Sequence, residues 1–327
     1  MPNLLLDRYR NGEHSEVWRD LLELGSAVRH ELYYNDAKEV AADTMKRARH
    51  NVETIVPKLD ELGYLFWTPG EERLLADPIE VVQKSLQQQG LLGAGESVLG
   101  QFAKYSEPGF EPRNAHEATM AQMAKQMAEM RAQMAARAPQ IAERRDAFRK
   151  QAEKLKGKPS LENQRVFNPP TSSTLDDLEE FEETFRGPMP MSLRAWYEQV
   201  GAVDFMGKHE LLNPMNGPHA ADPLVVFPFK ESAESDMDPE EGFDGEEFHL
   251  ALAPDDLHKA DTSGGDPYSM KIPDAAADAP LLWEWHNTTF VEYLRIVFAW
   301  GGFPGLERFT ERPEKELAYL REGLLAL

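Results

Sequence analysis

Apolar residues recur at helical spacing through the first 63 positions. Val17, Leu21, Leu24 and Val28 form one stripe, with Gly25 weakening the helix near its end. Val52, Ile55, Leu59 and Leu62 form a second, on a helix that the pattern runs from Asn35 or Asp36, both capping residue types, to Gly63. Pro57 lies inside that helix and predicts a kink, because it has no N–H for an interior turn. Leu65, Phe66 and Trp67 close the unit. The pattern predicts a small helical bundle over residues 1–69, with its apolar residues as core.

The period changes between 70 and 165. Ile79, Val82, Leu86 and Leu91 make a short amphipathic stretch, with glycines at 90, 93 and 95. From Asn114 to Lys158, Met120, Met127, Met134, Ile141, Phe148 and Leu155 recur every seven residues. Met123 and Met130 fill the second heptad position early, but Arg137, Arg144 and Gln151 fill it later, and Pro139 lies near the change. A methionine seam predicts a long helix packing against something adaptable: its own protein or a second copy. Soft-metal binding is the sharper reading, but thioethers at helical spacing usually pack, and no cofactor or metal is expected.

From 166 to 327 helical and alternating patterns mix. Asn168-Pro169-Pro170 and Thr171 to Thr174 read as a turn-rich linker. Leu175, Leu178, Phe181 and Phe185 predict a short acidic helix capped by Thr174. In GPMPMSLRAWYEQVGAVDF, residues 187–205, a proline-punctuated loop leads into Leu193, Trp196, Tyr197 and Val200 on a helix that Gly201 stops. Strands are predicted at Val203–Phe205, Leu224–Phe227, Phe248–Leu252, Tyr268–Ile272 and Leu281–Trp285, with Ser263-Gly264-Gly265-Asp266 as a tight turn. On the last of these strands Trp283 and Trp285 would share a face, as a core wall in preference to an interface anchor. A final helix, Phe290–Trp300, carries Val291, Leu294, Val297 and Phe298 inward, has Thr288 or Thr289 as its cap and ends at Gly301-Gly302. The expected class is α+β, in three segments: 1–69, 70–165 and 166–327.

Charge sharpens this division. The chain carries 35 basic and 57 acidic residues, net −22. Residues 166–327 hold 11 basic and 32 acidic residues, which leaves 24 and 25 for 1–165. Nearly all the excess is therefore C-terminal, while 137–158 is basic, with Arg137, Arg144, Arg145, Arg149, Lys150, Lys154, Lys156 and Lys158. An acidic field repels nucleic acid and membrane surfaces and attracts basic partners. Solubility alone is the plainer account of such a field. With no cysteine, disulfides, thiol catalysis and cysteine-ligated zinc are excluded. The N-terminal run of three leucines is too short for a signal core, and no apolar run approaches the roughly 20 residues needed to span a bilayer. A cytoplasmic protein is expected.

A family resemblance rests on Leu193, Trp196, Tyr197, Gly201 and Phe205, then Gly264, Gly265, Asp266 and Tyr268, then Phe290, Val291 and Leu294. In this order the chain resembles the SUKH superfamily, which includes immunity proteins of bacterial toxin systems and eukaryotic cell-wall regulators. It departs at Ala202, where a second glycine is usual, and through the long 206–247 region. The resemblance covers about half of the chain, residues 166–327. It implies a SUKH-like mixed sheet with flanking helices, binding proteins and not acting as an enzyme.

The candidate chemistry is sparse. Asp236, Asp238, Glu240, Asp244 and Glu247 fall at calcium-loop positions one, three, five, nine and twelve, but Glu241 stands where glycine is required. The nine histidines are scattered without an HExxH. Ser263 lacks the GxSxG context of a nucleophile. Asp255 and Asp256 mark a turn or helix start after Pro254, and Lys259 and Asp261 read as turn residues. The candidate partner-binding residues are Glu231, Asp236, Asp238, Glu240, Glu241, Asp244, Glu246 and Glu247, with Trp196 and Tyr197 as neighbours. They would form an acidic face that occludes a basic toxin-like protein by steering and anchoring. The alternative is a scaffold in which the Met-rich 114–158 helix sets self-association and the basic stretch meets the acidic domain.

Overall fold

The computed structural model describes residues 4–66, 122, 125, 166–184, 187–214, 220–234, 248–260 and 265–327. Three helices open the chain: α1 (Leu4–Arg10), α2 (His14–Leu24) and α3 (Glu31–Glu61), with a 3-10 turn at Gly25–Arg29. The long α3 begins four residues before Asn35, at a cap where the His30 ring accepts Leu32 N–H. Asp36, expected as that cap, instead reaches back to α1. Its carboxylate accepts Leu5 N–H at 2.8 Å and Leu6 N–H at 3.0 Å, satisfying donors that the first turn of a helix leaves open. The helix continues through Pro57.

α3 buries Val40, Ala41, Met45, Ala48, Val52, Ile55, Val56 and Leu59 along one face. That face receives α5 (Met191–Gln199) as well as α1 and the last helix. Residues 1–67 and 158–327 accordingly form one compact unit, with 68–157 as a second. The separate N-terminal bundle over 1–69 is corrected by three polar links. Tyr64 donates to Phe205 O at 2.8 Å. Asn51 donates to Leu325 O and accepts Leu325 N–H. β1 (Leu65–Phe66) pairs with β4 (Gly207–Lys208). A continuous apolar core runs from Leu6 to Leu327.

The strands form small antiparallel sheets. β2 (Phe167–Asn168), β3 (Ala202–Asp204) and β5 (Val225–Val226) pair in the order β2-β3-β5. β6 (Phe248–Ala253) and β7 (Tyr268–Ile272) pair in the register Phe248↔Ile272 and Leu250↔Met270, with a bulge between Ala251 and Ala253. Phe227 N–H donates to Leu252 O at 2.7 Å and stitches the two sheets edge to edge. All strand pairs among the described residues are antiparallel; the α+β class holds, and among these residues no parallel pair makes the sheet mixed. α4 (Ser172–Thr184), α6 (Phe229–Glu234), α7 (Phe290–Ala299) and α8 (Glu314–Arg321) complete the order.

Helix α5 ends where glycine was expected to end it. Gly201 has φ 90°, and a side chain there would meet Asn168 O at 2.2 Å, so only glycine lets β2 and β3 close on the helix. The Met seam over 114–158, the stretch 77–92, the acidic residues 236–247 and the Ser263-Gly264 turn lie outside the described residues. No helix among the described residues is long and apolar enough to cross a membrane.

Candidate interaction site

Trp196 and Tyr197 do not face a partner. Trp196 is fully buried, edge-on to Phe290 at 5.5 Å, and its indole N–H donates to Gly201 O at 2.7 Å. Tyr197 is 1% exposed, packs on Phe229 and shares a hydrogen bond with Ser232. Burial pushes its hydroxyl pKa well up. The helical stripe that singled them out is a core stripe, and expecting them at the surface is corrected on that ground.

Glu231 falls in α6. The other acidic candidates, Asp236, Asp238, Glu240, Glu241, Asp244, Glu246 and Glu247, lie outside the described residues, but both ends of their segment are placed. Phe229 in α6 and Phe248 at the start of β6 each contact Phe181 of α4 edge-on, at 5.3 and 6.0 Å. The described residues on either side of that segment thus pack on α4. That helix contains no lysine or arginine, and it exposes Asp176, Asp177, Glu179, Glu180 and Glu183 while Leu178 and Phe181 point inward. Glu182 is drawn aside to Arg194, which also holds Glu198 at 2.9 Å. Like charges three and four residues apart disfavour a helix by a few tenths of a kcal/mol each, and acids in the last turn oppose its dipole. α4 carries that cost in exchange for an acidic surface.

The strand expected at Leu281–Trp285 is a pinned loop. Leu282 exchanges both backbone hydrogen bonds with Ser269 of β7, and Leu281 N–H reaches Thr288 O at 2.9 Å. Between these anchors Trp283 has φ 66° and Asn287 has φ 56°, a left-handed conformation that L residues rarely adopt. The turn throws Trp283 outward at 60% exposure and pulls Glu284 inward to 1%. Trp283 and Trp285 therefore do not share a face, and the core reading fails for Trp283. Glu284 accepts His286 N–H at 3.0 Å and pairs with the His286 ring, whose Nε2 lies 3.5 Å from Glu307. Trp285 lies against the His286 ring at a 34° tilt, and the Arg308 guanidinium lies 4.5 Å over the indole. Alternating hydrophobicity signalled extended backbone here; no local signal marks the reversed φ.

Behind this loop lies a group of residues around Lys259, which the sequence offered only as a turn residue. Asp222, with φ 53°, and Lys259 are both fully buried and form an ion pair at 2.6 Å. Asp255 caps the turn that carries Lys259, accepting Leu257 and His258 N–H, as its place after Pro254 implied. Tyr268 donates to the other Asp222 oxygen at 3.3 Å, and Lys259 Nζ lies 4.4 Å from the Tyr268 ring centre. Tyr293 meets Tyr268 edge-on. Burial, and the acids Asp222 and Glu284, push the Tyr293 hydroxyl pKa far up. A lysine among polar turn residues gives no sequence sign of burial. Among the described residues, no group of three or more His, Asp or Glu converges as metal ligands would.

No protein-family model, curated protein or solved structure matches this chain.

Proposed function

We propose that this chain is a protein-binding module, SUKH-like over residues 166–327, that acts in the cytoplasm and occludes a basic partner in the manner of an immunity protein. The observation that carries the reading is Trp283. A large aromatic side chain held outward on a doubly anchored loop is already ordered before it meets a partner. Tryptophan is enriched among the few residues that dominate binding energy, and pre-ordering reduces what association costs. Asp176, Asp177, Glu180 and Glu183, exposed on a helix that has no lysine or arginine, support the chemistry of the partner: such a carboxylate surface steers a basic protein and raises its on-rate.

The test is capture of partners on the full chain at low and high salt, with mass spectrometry, followed by titration of the purified candidate. A basic protein whose affinity falls with salt, falls when Asp176, Asp177, Glu180 and Glu183 are changed to Asn or Gln, and falls again with Trp283→Ala fits the proposal. Affinity unchanged by both sets of substitutions removes it, and recovery of only the chain's own copies turns the reading towards self-assembly.

A further inference from the structure

We propose that Lys259 and Asp222 react with each other to form an intramolecular isopeptide bond. Among the described residues Lys259 is the one lysine with no exposure, and its Nζ lies 2.6 Å from Asp222 Oδ1. Both partners are held in place. Tyr268 fixes the second carboxylate oxygen and lies against the amine. Gly305 N–H bonds Ala221 O, and Leu224 N–H bonds Gly302 O, clamping the loop on either side of Asp222. An amine held against a carboxyl group with no freedom to part has the high effective concentration that turns a slow bimolecular condensation into a unimolecular one.

The ion pair contains every atom the reaction needs. The ammonium has three protons. As Nζ attacks Asp222 Cγ, one proton remains on the new amide nitrogen. The other two leave with a carboxylate oxygen as water, when its bond to Cγ breaks. No oxidant or second reactant takes part. Before attack Nζ passes a proton to the Asp222 carboxylate that it touches at 2.6 Å, which frees its lone pair and makes Cγ electrophilic. The product also replaces two charges in an interior that solvates them poorly with one neutral amide.

The bond would have a structural consequence that the ion pair lacks. Asp222 and Lys259 are 37 residues apart, and the acidic residues 231–247 lie between them. A covalent link would close that acidic segment into a ring rooted in the core.

Intact mass spectrometry of the denatured full chain tests this directly, because it reads wild-type protein and needs no folded variant. The wild-type chain is expected to be lighter than its sequence mass by one water molecule, and a digest should yield a branched peptide joining the segments around 222 and 259. Lys259→Arg should have its full sequence mass. Asp222→Ala, which removes the carboxyl group, should likewise have its full sequence mass. Wild-type protein at full sequence mass, with separate linear peptides, would overturn the proposal and leave an ordinary buried ion pair.

Discussion

The Ser192 hydroxyl donates to Asp278 Oδ1 at 2.5 Å, and Oδ2 of the same carboxylate accepts Val291 N–H at 3.0 Å. One buried acid therefore serves the first turns of two helices, α5 and α7, that begin 99 residues apart in sequence, at Met191 and Phe290. Thr289, the cap expected for α7, occupies the cap position, but its side chain does not close the turn. Asp278→Ala removes both contacts and leaves a hydroxyl and an N–H unpaired in the core, at an expected cost of about 1–3 kcal/mol. Ser192→Ala leaves the α7 bond intact and should cost about 0.5–1.5 kcal/mol. Urea unfolding midpoints would rank the two, and equal losses would contradict the dual role.

The same residue sets a pH dependence. Burial pushes the Asp278 carboxyl pKa up from its ordinary value, against the hydrogen bonds from Ser192, Thr289 and Val291, which lower it. Between the ordinary carboxylate range and the raised value, the folded state binds more protons than the unfolded one. Stability should thus fall with rising pH in that window, the contribution being fully present below it. Glu284, also raised by burial, adds the same sign. Unfolding followed across mildly acidic pH should show a smaller slope in Asp278→Asn than in wild type, and an unchanged slope would remove Asp278 as its source.

Gly201→Ala should be among the most damaging single-methyl additions in the chain. The new Cβ would meet Asn168 O at 2.2 Å, and φ 90° disfavours any L residue. The left-handed conformation alone costs about 1–2 kcal/mol, and the backbone clash adds to it. Gly63→Ala, with φ 79° but open space around the glycine, isolates the conformational part. The difference between their denaturant midpoints measures the contact between β2 and the end of α5. Equal midpoints would mean that this close approach relaxes freely.

Local rules made some of this architecture readable. Helix α5 and its glycine stop follow from the spacing of Leu193, Trp196 and Val200 before Gly201, and β6 and β7 follow from alternation at Phe248, Leu250, Tyr268 and Met270. Alternation says little about the opposite face, and here Ala251 and Ser269 are buried as well. What stayed hidden was non-local. The union of residues 1–67 with 158–327 depends on Asn51 meeting Leu325, 274 residues away, and helical periodicity carries no partner information. Asp36 looked like a cap and is one, but for α1 across the fold. The candidate site was the least legible part, because its two determinants oppose local propensity: a tryptophan turned outward by a left-handed φ, and a lysine drawn into the core by an aspartate 37 positions earlier.

The two tryptophans assigned opposite roles give the sharpest separation of fold from binding. Trp196 is fully buried and hydrogen-bonded to Gly201 O, so Trp196→Ala should cost about 3–5 kcal/mol through the cavity and the lost contacts. Trp283 is 60% exposed and makes its anchoring bonds through its neighbours' backbone, so Trp283→Ala should change stability by no more than about 0.5 kcal/mol. Trp283→Gly, which relieves the left-handed φ as well, should match or exceed wild-type stability while displaying no ring. If Trp283 anchors a partner, both variants lose affinity while their unfolding curves overlay the wild type, and the loss is chiefly in dissociation rate. Calorimetric unfolding with surface-immobilised binding kinetics would measure both quantities on the same protein. A large stability loss in Trp283→Ala would mean that the indole packs against the fold in solution, and the anchor role would fall with it.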